Sequence, residues 1–549
     1  MRNSIPPQSC QYPFPTRLAQ FATAAGSHTL HLPLLGQIDG GSCSLPAHLA
    51  FLAARHVLGD VRPPGTDKAA VSHAHIPPPR SALSPSSESF RERFVGLEIP
   101  VPSLDGGRRP YINLDNAAST PPLRSVRDGV DEFLDYYASV HRGTGFKSQL
   151  STWAFEQARH RCLEFVGADL ATQTCIFVKN TTEAINKLSR RMALTAQDVV
   201  LTTTMEHHSD DLPWRAVCQV NHVGLLPDGR LDEDDFDRQL AAHAGRVRLV
   251  AVTGASNVTG YLNPLYRLAR KAHAAGAWIL ADCAQLAPHR AVDIRPDADP
   301  EHLDFVALSA HKLYAPYGTG ALIGRKDFFE AGVPDAVGGG TVEVVTLEDV
   351  PWAGPPDREE AGSPNVVGAV ALALAISELQ SIGMATVARH EAELTEHALR
   401  RLPEVPGLRL FGDPDPRRAA DRLGVIPFSL SSHSHFEVAA ILGYEHGIGV
   451  RSGCFCAHPY VLHLLGLDRN QASEARRRIL AGDRRDMPGM VRASFGLYNT
   501  LNEVDALVEA LFAIARGDVQ GHYAQVAQTG EYLPEGRAFD FPAILPSLA

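Results

Sequence analysis

Short apolar strands alternate with amphipathic helices through the middle of the chain. The strand-like runs are rich in β-branched residues and cover residues 175–178, 199–204, 247–253, 278–282, 304–309 and 320–324. Helical patterns lie between some of them, as in DEDDFDRQLAAHA and NPLYRLARKAHAAG. Because parallel strands need a long crossover, usually a helix, this alternation predicts a mainly parallel sheet covered by helices. The predicted fold class is therefore α/β.

A second, smaller α/β unit is predicted after the Ala-rich helical segment NVVGAVALALAISELQSIG. Further strand patterns (RLGVIPFSLS, MVRASFG) and helix patterns (HFEVAAILGYEHG, NEVDALVEALFAIA) follow it. We expect a large domain over residues 108–375, a small domain with the cysteine loop over 376–516, and a C-terminal arm over 517–549. Residues 1–107 are rich in Pro and Ser and predict an irregular extension, with one helix over 45–58.

The composition is that of a globular chain long enough to bury more than one core. Its 549 residues are 44% hydrophobic and 21% charged, with a formal net charge of −11 at pH 7. This charge gives no reason to expect nucleic acid or a membrane as a partner, and no run approaches the ~20 apolar residues of a membrane span. Eight cysteines without disulfide-framework spacing favour a reducing compartment, so we expect a cytoplasmic protein with a small-molecule substrate.

Two predicted strands end in polar side chains that could carry chemistry. One strand leads to Ser309, His311 and Lys312, and a lysine there is partly desolvated, which lowers the pKa of an amine and favours a Schiff base. Another ends in Asp282, with Gln285 three residues on. A buried carboxylate is the partner that a pyridinium nitrogen needs, and an amide can donate to the ring oxygen, so these side chains suit pyridoxal 5'-phosphate (PLP). Taken singly, Lys312 is more typical of an exposed loop entrance, and an aspartate such as Asp282 commonly caps a helix.

Polar clusters also follow two earlier strands. Thr181 and Thr182 stand at the entrance of the helix predicted in TTEAINKLSRRM, where hydroxyls and free N–H groups form a phosphate cradle or an ordinary cap. In MEHHSDDLPW, His207 or His208 is placed to lie against an aromatic cofactor. The same histidines beside two aspartates could bind a metal, but no second ligand cluster has recognisable spacing, and no metal site is predicted.

The segment GVRSGCFCAHPY places Cys454 and Cys456 one residue apart. A cysteine near cationic side chains such as Arg451 and His458 can act as a thiolate nucleophile. The run also supplies four zinc ligand types in Cys454, Cys456, His458 and His463, although one-residue spacing is less usual than C-x₂₋₄-C. A third interpretation is that the cysteines are small buried residues.

Nine motifs in a fixed order resemble the class V aminotransferase family of fold-type I PLP enzymes, and within it the cysteine desulfurases and selenocysteine lyases. From about Tyr111 to Leu511 they are LDNAAST, NTTEAIN, MEHHSDDLPW, SNVTG, DCAQLAPH, SAHK, EEAGSPN, GVRSGCFCAHP and RASFGLYNT. Each is weak alone, whereas nine in order are specific. The resemblance implies bound PLP, a homodimer, and a large domain whose seven-stranded, mainly parallel sheet lies between helices, beside a smaller α/β domain.

The resemblance also implies roles for individual residues. Lys312 would form the Schiff base, His207 would stack on the cofactor ring, and Cys456 would be the nucleophile. Further cofactor contacts would come from Thr182, Asp282, Gln285, Ser309 and His311, and from Ser363 of a neighbouring subunit. Substrate contacts would come from Asn257, Arg451 and Arg492, the last with a bidentate hold on the α-carboxylate.

The implied reaction takes sulfur from L-cysteine, releases L-alanine and leaves a persulfide on Cys456 for a sulfur-acceptor protein. Selenocysteine is an alternative substrate, and GCFC is also similar to molybdenum-cofactor sulfurases, which leaves the acceptor open. A PLP-dependent epimerase, lyase or aminotransferase of the family would need no cysteine here. Three features depart from the family pattern, namely Cys283 in place of Gly, Ser363 in place of Thr, and a charged insertion over 467–490.

Overall fold

The computed structural model describes residues 90–536 and 539–548, and its central feature is a seven-stranded sheet. The strands are β1 (Gln173–Val178), β2 (Val199–Thr203), β3 (Gln219–Val223), β4 (Val247–Thr253), β5 (Trp278–Asp282), β6 (Phe305–Ser309) and β7 (Gly320–Arg325). Their order is β1-β7-β6-β5-β4-β2-β3. Strand β7 is antiparallel to both neighbours, whereas the other pairs are parallel. The predicted mainly parallel sheet is confirmed.

Helices cover both faces of this sheet, so successive strand residues enter different apolar layers. Val306 and Leu308 of β6 belong to one core cluster, and Phe305 and Ala307 belong to the other. Such two-sided burial is why these strands read as continuous apolar runs. The helices of this part are Arg124–Leu134, Phe146–Phe165, Thr181–Arg191, Leu212–Arg215, Glu233–Ala242, Leu265–Ala274, Lys326–Glu330 and Val366–Ile382.

A four-stranded antiparallel sheet forms the second layered unit. Its strands are β8 (Leu408–Leu410), β9 (Val425–Leu430), β10 (Arg451–Gly453) and β11 (Met490–Ser494), in the order β8-β9-β11-β10. Its helices are Met384–Arg401, His435–His446, His458–Leu465, Arg469–Leu480 and Leu501–Arg516. The helix Arg469–Leu480 lies in the charged insertion and buries no residue. This helix therefore adds surface rather than core.

Short elements complete the described chain. They are the strand pairs Pro100–Pro102 with Arg108–Pro110, Ile112–Asn113 with Ile448–Gly449, and Tyr523–Gln525 with Tyr532–Pro534, and the helix Phe541–Ile544. Phe90 and Phe94 are buried in the main core, although they lie within the predicted extension 1–107. The helix predicted over 45–58 lies outside the described residues. The bounds of the four predicted segments stay predictions.

Among the described residues, no single helix has the length and apolar character to cross a bilayer, whereas Val366–Ile382 and Met384–Glu404 pass only as a pair bent by 78°.

Candidate active site

A cavity of about 430 Å³ lies at the carboxyl ends of β4, β5 and β6. Side chains from both sheets meet there, because Cys456 and Arg492 come from the second unit and Lys312 from the first. Of the site residues predicted from the sequence, those that line the cavity are Thr182, His207, Asn257, Asp282, Gln285, Ser309, His311, Lys312, Arg451, Cys456 and Arg492. The carboxyl edge of a parallel sheet is where ligands of α/β proteins bind.

Lys312 follows β6 in a 3₁₀ turn, Ala310–Lys312, and is half-buried. Burial lowers the pKa of Lys312 to about 8, and Arg492 contributes in the same direction, while Asp282 and Cys456 oppose the shift. A larger fraction of this amine is therefore neutral near neutral pH than in an exposed lysine. Asp282, at the end of β5, is 4% exposed, and burial raises the pKa of its carboxyl group.

The helix Thr181–Arg191 begins at the cavity with its first turn bonded to neighbouring hydroxyls. The Thr181 N–H donates to Ser309 Oγ at 2.9 Å, and Thr182 Oγ1 lies 2.6 Å from Ser209 Oγ. Asn180 caps the helix by accepting from the Glu183 N–H. Hydroxyl groups and a helix N-terminus thus meet at one end of the cavity, an arrangement that suits an anionic phosphate.

His207 is held by a hydrogen bond to the Ser209 hydroxyl group. Its Nδ1 lies 3.0 Å from Ser209 Oγ. Burial, together with the positive charge of Lys312, lowers the pKa of His207 to about 3, so the ring is neutral at pH 7. Burial likewise lowers the pKa of His311 to about 4. The Gln285 amide donates to the Ala117 carbonyl at 2.7 Å, which fixes its orientation.

The loop that carries Cys456 has a constrained backbone. Phe455 and Cys456 both have positive φ, 53° and 54°, a backbone conformation that residues other than glycine rarely adopt. Each of their carbonyls accepts one hydrogen bond from the first unit. The Asn257 amide donates to the Phe455 oxygen and the His208 N–H to the Cys456 oxygen, both at 2.8 Å. These bonds hold the exposed Cys456 at the cavity and stabilise a backbone conformation that the loop alone would not favour.

Asp115 joins two arginines of the site, and no individual role is predicted for it from the sequence. Its two carboxylate oxygens accept from Arg492 at 2.9 Å and from Arg451 at 2.8 Å. Arg492 also donates to the Asn257 carbonyl, and its guanidinium lies over the Phe455 ring. The buried Nε of Arg492 has no hydrogen-bond partner among the described residues. The only sequence signal for Asp115 was its position in the motif LDNAAST, which does not reveal its two arginine partners.

The metal-binding alternatives find no support in the described residues. The Cys454 thiol is 5% exposed and donates to the Pro488 carbonyl, and His463 binds the Leu226 carbonyl. His208 pairs with His458 instead of with the aspartates beside it. No group of three potential ligands within the described ranges contains these residues. The four potential zinc ligands of the cysteine loop therefore do not lie together in the described part of the chain.

Ser363 does not line the active-site cavity. It borders a separate cavity of about 360 Å³ together with Tyr137 and Gly339. The role implied for Ser363 was a contact from a neighbouring subunit, and that role stays a prediction.

Comparisons with known proteins agree with this geometry. The family model described as Aminotransferase class-V matches residues 112–507. The chain belongs to the class-V aminotransferase family. The prediction of an enzyme of this family is confirmed, whereas residues 1–111 lie outside the matched part of the chain.

The similar members of the class-V aminotransferase family are named as desulfurases. A cysteine desulfurase of Dickeya dadantii is 37% identical over 77% of this chain and 96% of its own length. A probable cysteine desulfurase of Streptomyces coelicolor is 35% identical over 77% of this chain and 96% of its own. A solved apo cysteine desulfurase from Thermococcus onnurineus has a TM-score of 0.65 at 32% identity, covering 74% of this chain and 95% of that one. The predicted fold-type I architecture is confirmed.

Proposed function

We propose that this chain is a PLP-dependent cysteine desulfurase, which takes sulfur from L-cysteine, releases L-alanine and keeps the sulfur as a persulfide on Cys456. The observation that carries the proposal is the convergence of the Lys312 amine, the Arg492 guanidinium and the Cys456 thiol on one cavity. The names of the similar family members support the same substrate.

The groups in the cavity fit PLP. Asp282 would bind the ring nitrogen, because a buried carboxylate with a raised pKa is stabilised in its charged form by a cationic partner. Lys312 would bind the cofactor covalently, and neutral His207 would lie against its ring. The hydroxyls of Thr182 and Ser309, at the start of the helix Thr181–Arg191, would hold the phosphate. When bound, PLP supplies an electron sink for negative charge at the substrate α-carbon.

Protein side chains would bind the substrate, remove its α-proton and attack its sulfur. Arg492 would hold the substrate carboxylate through N–H groups that Asp115 and the Asn257 carbonyl leave free. Lys312, with its pKa near 8, would take the α-proton. Cys456 as thiolate would attack the substrate sulfur, so that an S–S bond forms while the Cβ–S bond breaks. The electron pair of that bond stays with carbon, which is then protonated to give alanine, and no external oxidant is needed.

Cys454 and Cys456 have unequal surroundings, which gives a matched pair of variants. Cys456 is exposed at the cavity, whereas burial raises the pKa of the Cys454 thiol to about 12. With L-cysteine, PLP and a thiol reductant, we expect Cys456→Ala to lower sulfide and alanine release at least about a hundredfold. Cys454→Ala should retain most activity, because a protonated buried thiol is a poor nucleophile.

The same assay separates the alternatives. A panel of other amino acids, including selenocysteine, tests the substrate. Release of a product without sulfide, unaffected by Cys456→Ala, would identify an epimerase, lyase or aminotransferase instead. Equal sulfide release by both cysteine variants and the parent would show that Cys456 is not the nucleophile.

The cofactor assignment is tested at Lys312. Borohydride reduction of the PLP-loaded protein should fix the cofactor to Lys312, where peptide mass spectrometry detects it. Lys312→Ala should lose both this adduct and the visible absorbance of the protein. A Lys312→Ala variant that still traps PLP at one lysine would overturn the assignment.

A homodimer is part of the proposal. Phe146 and Trp153 on the helix Phe146–Phe165 are 72% and 62% exposed, and Tyr137 beside Ser363 is 47% exposed. Large apolar groups clustered at a surface favour a protein partner. A second copy of the chain covering this region would bring a subunit to the Ser363 cavity.

A further inference from the structure

We propose a divalent transition-metal site, most suited to Zn²⁺, formed by His273, His302 and Asp304 at the end of the central sheet opposite the active site. His273 lies in the last turn of the helix Leu265–Ala274, and Asp304 directly precedes β6. Lys312 follows the other end of that strand. None of the three side chains lines the active-site cavity. The site is therefore independent of the proposed desulfurase chemistry.

The three side chains already have the spacing of metal ligands. His273 Nε2 lies 2.9 Å from Asp304 Oδ2, and His302 Nε2 lies 3.1 Å from Asp304 Oδ1. One potential ligand atom from each residue lies within 4.8 Å of the others. Ligands bound to one zinc at about 2.0–2.1 Å in a tetrahedron are about 3.3 Å apart. Little rearrangement would bring these atoms onto a shared ion.

The outer contacts of the two rings indicate a metal. His273 Nδ1 lies 2.9 Å from the Pro300 carbonyl, and His302 Nδ1 lies 2.7 Å from the Asp299 carbonyl. Because a carbonyl only accepts hydrogen bonds, each Nδ1 carries a hydrogen, and each neutral ring presents a bare Nε2 to the carboxylate. Histidine ligands of metals typically have this carbonyl-bound Nδ1–H and free Nε2.

The alternative to a metal is a proton on each Nε2. The two rings stack with centroids 4.1 Å apart and an interplanar angle of 18°. Two protonated rings at that distance would bring like charges together, whereas one divalent ion satisfies both nitrogens and the carboxylate. The Asp304 side chain is 4% exposed and is also fixed by the Ile279 N–H, while the histidine side chains are 19% and 12% exposed. A metal could thus enter from solvent, with water completing its coordination.

Metal binding can be measured without the enzymatic activity. The purified full-length protein would be stripped with a chelator, and zinc binding measured by competition with a chromophoric chelator. We expect one zinc per chain at this site, and His273→Ala or His302→Ala should weaken it at least about tenfold. The control is His160→Ala, an exposed histidine on another helix, which should bind as the parent does.

Two further readouts keep the test decisive. Zinc should raise the unfolding temperature of the parent and of His160→Ala but not of His302→Ala, because a ligand that binds only the folded state stabilises it. Co²⁺ in the parent should give visible bands of a low-coordinate nitrogen and oxygen site without a thiolate charge-transfer band. A thiolate band, zinc binding unchanged in both histidine variants, or no zinc binding by the parent would overturn the proposal.

Discussion

At the scale of single residues, the site depends on two arginines that share one carboxylate. Arg492 is 2% exposed and Arg451 is exposed, yet both bind Asp115. A guanidinium can bind Asp115, the Asn257 carbonyl and a substrate carboxylate together, because its five N–H groups lie in a fixed plane. A lysine ammonium in the same place cannot.

The arginines provide a test of substrate binding. Arg492→Lys should lose about 1.5–3 kcal/mol of charge-assisted hydrogen bonding, which lowers kcat/KM for L-cysteine about 10- to 100-fold, mainly through KM. Arg451→Lys is the matched control, because it keeps a charge beside Asp115 at an exposed position, and its effect should be several-fold smaller. Steady-state kinetics on both variants decides. Equal effects of the two substitutions would show that Arg492 has no special hold on the substrate.

Residue types and motif order located most of this site in advance. Strand-end positions predicted Asp282 and Lys312 because the carboxyl ends of parallel strands meet at one edge. Asp115 was not singled out, since its partners lie more than 330 residues away and only the folded chain brings them together. Ser209 was not singled out because its role depends on a hydrogen bond to His207, which sequence spacing does not reveal.

At the scale of secondary-structure elements, the sequence predicts strand bounds best where both faces of the sheet are buried. The runs 247–253 and 278–282 match β4 and β5 to the residue, because apolar β-branched residues fill both faces. Strand β3 was missed, since QVNHV lies at the sheet edge, is partly exposed and lacks an apolar run. The positive φ of Phe455 and Cys456 was also unpredictable, because neither residue favours it.

The turn after Asn257 shows how elements are joined. Gly260 has φ +74°, and its carbonyl accepts from the Leu423 N–H at 2.8 Å, which links the first unit to the strand β9 region. A Cβ at Gly260 would lie 2.5 Å from the Leu423 carbonyl oxygen. Only glycine meets both conditions, positive φ and close backbone approach.

Replacement of this glycine should destabilise the fold. Gly260→Ala should lower the free energy of unfolding by about 3 kcal/mol, because a positive-φ penalty of about 1 kcal/mol adds to the backbone clash. Gly245→Ala is the control, since Gly245 has φ +75° with nothing within 4 Å of its added Cβ. Gly245→Ala should lower the free energy of unfolding only by the positive-φ penalty. Urea unfolding of both variants gives the difference, and equal midpoints would show that the turn relaxes around the new Cβ.

At the scale of the whole molecule, a buried carboxylate ties the two sheets together. Glu391 of the helix Met384–Arg401 binds His289 at 2.9 Å and Arg290 at 2.5 Å, both beyond the end of β5. It also accepts from the Gly424 N–H at 2.8 Å. The active-site cavity depends on this arrangement, because its cysteine loop and its lysine come from different sheets.

This carboxylate should make part of the stability depend on pH. Burial alone would raise the pKa of Glu391, but His289, Arg290 and the Gly424 N–H outweigh it and hold the pKa below its ordinary value of 4.5. A group whose pKa falls on folding stabilises the native state above its unfolded pKa, and this contribution is lost as pH falls through the folded pKa. Glu391 therefore contributes fully at neutral pH and progressively less below 4.5.

Glu391→Gln isolates that contribution. Glutamine keeps the shape and one acceptor but leaves the partly buried Arg290 without its charge partner, so the variant should lose about 2–4 kcal/mol at neutral pH. Urea unfolding at about pH 7.5 and about pH 4 should show a smaller gap between parent and variant at the lower pH, because the contribution of the Glu391 charge begins to fall below pH 4.5. A gap that stays constant across that range would mean that packing, and not the charge of Glu391, holds the two sheets together.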